Sequence, residues 1–302
     1  MKFGAIDIGT NAARLLVGEV TKEGDHSFVK KISYTRIPIR LGEDVFEKGS
    51  ISEEKLNNFI KTIQAFKLIS EIFNVVKLRA CATSAMREAL NREYIIEKIE
   101  EKTGIEVEII SGDEEARLIF GTFFLFDFDK NSSFLVVDVG GGSTEITVFE
   151  RGKKVVAKSF ALGTIRLLKN KVDKKEWKQL NLWIEENVDL KMIHQVYTTG
   201  GNINKIHKIL GAQQSEKISL RKMNKLRDEL AKLSLDERID KFQLKPDRAD
   251  VILPAIEIYS FILKKIKTAQ FFVPKIGLAD GMIYDLYLKE NKKFTKTKAL
   301  NI

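Results

Sequence analysis

Apolar and polar residues fall into the same order twice, 131 positions apart, and each time the pattern straddles an acidic glycine turn. The apolar run Phe3 to Ile6 leads into Asp7-Ile8-Gly9-Thr10-Asn11 and then into the alternating stretch Ala13 to Val20. The run Phe134 to Val137 leads into Asp138-Val139-Gly140-Gly141-Gly142-Ser143-Thr144-Glu145, and alternation resumes to Glu150. Period-two alternation marks a half-buried strand, and a short unbroken apolar run marks one covered on both faces. Each copy then turns at a charged, glycine-containing stretch (Lys22 to Asp25, Arg151 to Lys154). A further strand-like segment follows, ending at Leu41-Gly42 or Leu162-Gly163. The repeat predicts two similar domains facing one site, laid out as a phosphate clamp.

The remaining pattern predicts a mixed α/β chain. Strands are expected at 2–8, 13–20 and 27–37. A helix over 52–72 follows, opened by the capping box Ser50-Ile51-Ser52-Glu53 and periodic at Leu56, Phe59, Ile60, Ile63, Phe66 and Ile69. A strand at Val75–Cys81, a helix at 84–102, a strand at Glu106–Ile110 and a helix at 113–125 complete the first half. The polar stretch Asp127 to Ser133 reads as a domain junction. The second half restarts with strands at 134–138, 144–150 and 154–161, a helix at 173–187, a strand at His194–Thr198 and a helix at 203–210. Two or three helices fill 219–267, one of them kinked or begun by Pro254. A last strand, Phe271–Pro274, precedes a closing helix. Strand meanders followed by strand–helix alternation imply mixed sheets. The 302 residues divide into domains 1–126 and 127–302, with the closing helix after 280 free to pack back on the first.

Composition narrows the class. Hydrophobic residues make up 44% and charged residues 31%, ordinary for a soluble protein. No apolar run approaches the ~20 residues that span a bilayer, and Met1-Lys2 runs straight into a strand, leaving no room for a signal peptide. The single cysteine, Cys81, excludes an internal disulfide and fits a reducing cytoplasm. Net charge is +9, but residues 1–150 hold 19 Lys+Arg against 25 Asp+Glu, leaving 32 against 17 for the rest. That asymmetry favours an anionic partner on the second half. A solvated lysine-rich surface and a frayed tail (Lys289 to Lys298) account for many of the same residues.

Chemistry concentrates at the glycines. Asp7 ends a buried strand beside backbone N–H groups, a nest that suits phosphate, although Asp-x-Gly is also an ordinary turn. Gly140, Gly141 and Gly142 are costly in ordered structure unless backbone must approach a ligand closely. Ser143 and Thr144 add hydroxyls there. Glu145, with Asp138, adds the second carboxylate needed for hydrated Mg²⁺ bridging phosphates. Gly200 and Gly201 lie between a strand and a helix, where anions bind. Asp280-Gly281 offers an acid or merely a cap. In Ser111-Gly112-Asp113-Glu114-Glu115, capping explains Asp113 and Glu114. Glu115 is a base candidate if its helix faces a cleft. Arg87 is placed to clamp phosphate, unless it pairs with Glu88 or Glu93, and Arg40 and Arg166 are weaker candidates. His26, His194 and His207 are scattered. No His/Cys metal spacing, P-loop, dinucleotide fingerprint or nucleophile elbow is present.

Together these segments resemble the exopolyphosphatase/guanosine pentaphosphate phosphatase family of the actin-like ATPase superfamily. The resemblance is carried by Asp7 to Asn11, Arg40-Leu41-Gly42, Ala82 to Ala89, Ile110 to Arg117 and Asp138 to Glu145. Thr199-Gly200-Gly201, Asp247 to Asp250 and Gly277 to Gly281 complete it. It implies two ribonuclease H-like domains with mixed sheets flanking an interdomain cleft. It also implies hydrolytic release of terminal phosphate from polyphosphate, with guanosine pentaphosphate as an overlapping substrate. On the family pattern Glu115 is the general base, and Asp138 and Glu145, supported by Asp7, hold Mg²⁺ or another divalent cation. Gly9, Thr10, Asn11, Arg87, Gly140 to Gly142, Ser143, Thr144, Gly200 and Gly201 bind phosphate. The partner implied is a polyanionic phosphate substrate rather than nucleic acid or membrane, with a homodimer as one assembly. Two departures stand out. Ala12 replaces the family's usual serine, which puts one phosphate contact in doubt, and the chain matches the short, two-domain form. A sugar- or acetate-kinase-like phosphotransferase and a non-catalytic actin-like nucleotide binder are the competing classes.

Overall fold

The computed structural model describes residues 1–23, 26–122, 132–213 and 216–300. The turn expected at Gly24-Asp25, the last residues of the helix expected over 113–125 and most of the junction expected at Asp127 to Ser133 lie outside the described residues. The chain resolves into two compact units, Met1–Phe128 with Ile276–Ile302, and Asp129–Lys275.

Unit 1 is built on a five-stranded sheet. Strands β1 (Phe3–Ile8), β2 (Ala13–Glu23) and β3 (His26–Ile37) form an antiparallel meander, and β4 (Lys77–Ala82) and β5 (Val107–Ile109) extend it in parallel, in the order β3-β2-β1-β4-β5. Every residue of β1 is buried, as its unbroken apolar run requires. Its helices are α1 (Leu41–Lys48), α2 (Glu53–Ile72), α3 (Ser84–Glu88), α4 (Arg92–Thr103) and α5 (Gly112–Gly121). Leu56, Phe59, Ile63 and Phe66 of α2 are buried in the periodic order the sequence shows. Ser52 alone caps α2, accepting from the Lys55 amide, so the four-residue capping box is not formed. Leu41-Gly42 opens α1 rather than ending a strand. The single helix expected over 84–102 is two: the chain turns to extended geometry at Ala89 after α3, and Asn91, at the N-cap position of α4, binds the backbone of Ile51 with both its amide nitrogen and its oxygen.

Unit 2 repeats the plan with four strands, β6 (Phe134–Val139), β7 (Thr144–Glu150), β8 (Lys153–Phe160) and β9 (Gln195–Thr199), in the order β8-β7-β6-β9. β6 pairs antiparallel with β7 and parallel with β9, as β1 does with β2 and β4. Even the irregularities repeat: a register shift falls between Val17 and Gly18 on β2 and between Val148 and Phe149 on β7. Helices α6 (Thr164–Leu168), α7 (Lys174–Asn187) and α8 (Gly201–Ile209) follow. A short pair, β10 (Ile218–Ser219) with β11 (Gln270–Phe271), frames four helices rather than two or three: α9 (Leu220–Leu230), α10 (Leu235–Phe242), α11 (Pro246–Ala249) and α12 (Ile252–Lys265). Pro254 sits in the first turn of α12, where a missing N–H costs no helical bond. Leu135, Val137, Ile146, Ile256, Tyr259 and Leu263 belong to this unit's core.

The last helix, α13 (Leu278–Leu300), packs on β1, β2 and α5 of unit 1 and continues through the lysine run that the sequence alone leaves as a tail. A Cβ on Gly281 would lie 2.0 Å from the Leu118 carbonyl oxygen, so only glycine lets α13 approach α5 this closely. Among the described residues no helix is long and apolar enough to cross a membrane.

Candidate active site

The two glycine turns are the same structure. In each, the first glycine donates its amide to a carbonyl three residues on: Gly9 to Ala12 at 3.1 Å and Gly140 to Ser143 at 2.9 Å. Behind each turn a short helix begins after three intervening residues from the end of the third strand, with Arg40 at the N-cap position in unit 1 and Gly163 in unit 2. The helix amides hold the turn, Gly42 donating to Thr10 and Ile165 to Gly141. A Cβ on Gly163 would lie 2.4 Å from the Gly141–Gly142 backbone, which explains that glycine better than any ligand does.

In unit 2, Asp138 and Glu145 are register partners across β6 and β7. Glu145 is buried and accepts from the Ser159 hydroxyl at 2.7 Å. Gly200, at φ 118°, brings the third glycine turn against this pair: a Cβ there would meet Val139 O at 2.8 Å and Asp138 Oδ1 at 2.9 Å. Tyr259, fully buried, donates its hydroxyl to the Thr199 carbonyl. Burial first, and then the Asp138 charge, push the Tyr259 hydroxyl far above its usual range, keeping it a neutral donor. Two arginines brace the loops from within the unit. Arg166 donates to the Gly142 carbonyl at 2.9 Å, and Arg248 donates to that of Gly201 at 2.7 Å. Arg166 thus supports the loop through its backbone. The role of Arg248 has no local sequence signal, since 47 residues separate it from the carbonyl it holds.

Asp138 and Glu145, adjacent across β6 and β7, offer oxygen donors only, which suits a hard cation. Among the described residues no three His, Cys, Asp or Glu cluster as a metal cage. Mg²⁺ is commonly held by one or two carboxylates, water and the substrate's own phosphates.

Unit 1 places its residues differently. Asp7 is buried and bound to Arg14 at 2.6 Å. Thr10 is buried as well, whereas Gly9 and Asn11 retain partial exposure. Ala12, where the family pattern has serine, is wholly buried. Thr144 is likewise buried in unit 2, its hydroxyl donating to the Leu162 carbonyl at 2.5 Å. Ser143 is 8% exposed, and Gly140, Gly141 and Gly201 are partly exposed.

Glu115 lies on the first turn of α5, which Ser111 caps by accepting from the Glu114 amide at 3.2 Å. Arg87 pairs with Glu115 at 3.2 Å and also donates to the Ile110 carbonyl at 2.8 Å. Glu88 and Glu93 are not its partners: Glu88 accepts from Ser84 and Glu93 pairs with Arg92. The candidate base and the candidate phosphate clamp are therefore one hydrogen-bonded pair. Helix α5 is fixed from its other face by Asp285 of α13, which binds Arg117 of α5 and Arg79 of β4, both at 3.2 Å. Asp280, in the first turn of α13, accepts from the Gly277 amide just before the helix at 3.0 Å and pairs with Lys31 at 2.9 Å. The Cys81 thiol, pushed up to about 12 chiefly by burial, is chemically inert.

A fold of two mixed sheets with acidic glycine turns on the first two strands of each defines an actin-like phosphate-handling class. The sequence model of the Ppx/GppA phosphatase family matches residues 19–290, and the chain belongs to that family. It is 31% identical over 285 residues to the bifunctional 3-dehydroquinate synthase/phosphatase of Fusobacterium nucleatum, covering 86% of this chain and 42% of that protein. It is 31% identical over 167 residues to exopolyphosphatase 1 of Mycobacterium tuberculosis, covering 55% of this chain and 48% of that one. The chain thus spans less than half the length of these curated relatives. Among solved structures, an exopolyphosphatase from Cytophaga hutchinsonii superposes with a TM-score of 0.80 at 25% identity, over 95% of this chain and 97% of that one. The Aquifex aeolicus member of the Ppx/GppA family gives 0.74 at 25% identity, over 96% and 99%.

Proposed function

We propose that this chain is a divalent-cation-dependent phosphohydrolase that releases terminal orthophosphate from inorganic polyphosphate, with guanosine pentaphosphate as an overlapping substrate. The observation that carries this is the cross-strand pair Asp138 and Glu145, with Gly200 close against Asp138. The family to which the chain belongs and the excess of basic residues after position 150 support it.

Glu115 accepts a proton from water as the water oxygen attacks the terminal phosphorus. The bridging P–O bond breaks, and its electron pair leaves with the shortened chain. Arg87 orients the Glu115 carboxylate before substrate binds and offers further N–H donors to phosphoryl oxygens. Gly9 and Gly140 commit their amides within the turns, so the amides of Gly141 to Ser143 and Gly200-Gly201 stabilise charge on the transferring group. Asp138 and Glu145 would hold the cation, which supplies charge neutralisation on the phosphates. Arg166, Arg248 and Tyr259 keep the loops rigid by binding the Gly142, Gly201 and Thr199 carbonyls. The fit to Mg²⁺ rests on the oxygen donor set described above.

The test is cation-dependent phosphate release from long polyphosphate, short polyphosphate and guanosine pentaphosphate, measured side by side. Release from polyphosphate that chelation abolishes is the expected result. ADP formation from ATP that depends on an added acceptor, without free phosphate, would assign a phosphotransferase instead.

A further inference from the structure

The row of register partners that crosses unit 2 at its acidic turn is Thr199 on β9, Asp138 on β6, Glu145 on β7 and Ser159 on β8. Register partners share a face of a sheet, so the four side chains stand side by side, and each carries oxygen. At one end of the row Ser159 donates its hydroxyl to Glu145 at 2.7 Å. At the other end Thr199 adjoins Asp138 from the opposite flank. In unit 1 the corresponding neighbour of Asp7 is the buried Cys81, whose thiol is a far weaker donor.

The Thr199 hydroxyl is the group that the fold leaves unexplained. The residue is wholly buried, and its hydroxyl oxygen has no hydrogen-bond partner among the described residues. A buried hydroxyl without a partner is costly, whereas valine fills much the same space in a strand without that cost. Neighbouring threonines are satisfied: Thr198 donates to the Phe272 carbonyl at 3.1 Å and Thr144 to the Leu162 carbonyl. The Thr199 carbonyl is engaged as well, by the Tyr259 hydroxyl, and Gly200 lies close against Asp138. Backbone at Thr199 is thus held in place while its hydroxyl stays uncommitted beside a carboxylate.

We propose that Thr199 is a positioning residue of the cation site, its hydroxyl donating to the Asp138 carboxylate when the divalent cation is bound, as Ser159 donates to Glu145. Each acid of the pair then has its own hydroxyl, one from either flank of the row. The assignment rests on the cation-dependent function proposed above. Carboxylates that hold a metal are themselves held by hydrogen bonds, and losing such a partner typically weakens the metal about 10- to 100-fold.

Thr199→Val removes the hydroxyl and nearly keeps the shape. Mg²⁺ is titrated calorimetrically into the full chain with inorganic phosphate present. Thr199→Val is expected to weaken Mg²⁺ about tenfold, and Thr199→Ser to stay within about threefold of the parent. Without Mg²⁺, Thr199→Val is expected to melt at or above the parental temperature, because the hydroxyl it loses has no partner. Parental Mg²⁺ affinity in Thr199→Val overturns the assignment. So does a lower melting temperature or a failure to fold, since the hydroxyl would then already be spent on the fold. Thr198→Val, which loses the bond to Phe272, is expected to keep parental Mg²⁺ affinity. An equal Mg²⁺ shift there would mark a general loosening of β9 and overturn the assignment too. If the Mg²⁺ shift in Thr199→Val appears but the parent does not hydrolyse polyphosphate, the hydrolytic function falls and this assignment stands.

Discussion

Units 1 and 2 share a hairpin, a glycine turn, a register shift and a helix behind the turn, yet they differ at one row of side chains. Asp7 faces Arg14 and is neutralised by it at 2.6 Å, whereas Asp138 faces Glu145. Backbone geometry therefore supplies only the common property, a nest of amides suited to phosphate. What each nest does next depends on the residue seven positions after its aspartate, because in a hairpin with this turn that residue is the cross-strand neighbour. The support behind the turns differs in the same spirit. Unit 2 has Gly163 pressed against the loop and Arg166 bound to a loop carbonyl, while unit 1 has Arg40 at φ 47°, its guanidinium paired with Glu43.

The largest expected effect lies outside both rows. Glu115→Gln should lower kcat for phosphate release by about 10²- to 10⁴-fold, the usual span for a lost general base, with phosphate binding retained. Turnover near the parent rate would leave Glu115 as no more than the partner of Arg87. Next, Glu145→Gln should raise half-saturating Mg²⁺ at least about tenfold, equivalent to ~1.4 kcal/mol. An equal shift on changing Asp7 would erase the contrast between the rows. For the scaffolds, Gly163→Ala should cost about 2–3 kcal/mol in a denaturant melt, because backbone at 2.4 Å has nowhere to move. Its counterpart Arg40→Ala, which removes the pairing with Glu43 among other contacts but forces no backbone apart, should cost less than Gly163→Ala. Similar costs at the two positions would show equally tight turns.

The smallest effect concerns pH. Burial raises the Asp285 carboxyl, but Lys289 and Arg117 outweigh it and hold the carboxyl below its usual range. A depressed folded-state value means that the group stabilises the fold above the unfolded pKa. That contribution fades as pH falls through the folded one. The melting temperature of the parent should therefore exceed that of Asp285→Asn by a few degrees near pH 7, and the gap should close below about pH 4. A gap that widens with acid would contradict the ion pairs drawn to α5.

Local pattern was enough to place the strands of both hairpins, the amphipathic helix over 52–72 and the glycine turns, because alternation and helical period are written in adjacent residues. It was also enough to bring Asp7, Asp138, Glu145, Glu115 and Arg87 forward as chemistry-bearing residues. It misread Leu41-Gly42 as the end of a strand and joined α3 to α4, where the chain is extended at Ala89 and Asn91 starts α4 while bound to a partner 40 residues away. The pairings that give the candidates their character are long-range in the same way. Arg87 meets Glu115 across 28 residues, and Arg248 holds Gly201 across 47. The sequence by itself determined that two acidic glycine turns would recur in similar surroundings. Only the tertiary structure decided that one aspartate faces an arginine and the other a glutamate, because cross-strand register, not order along the chain, sets which charges share a row.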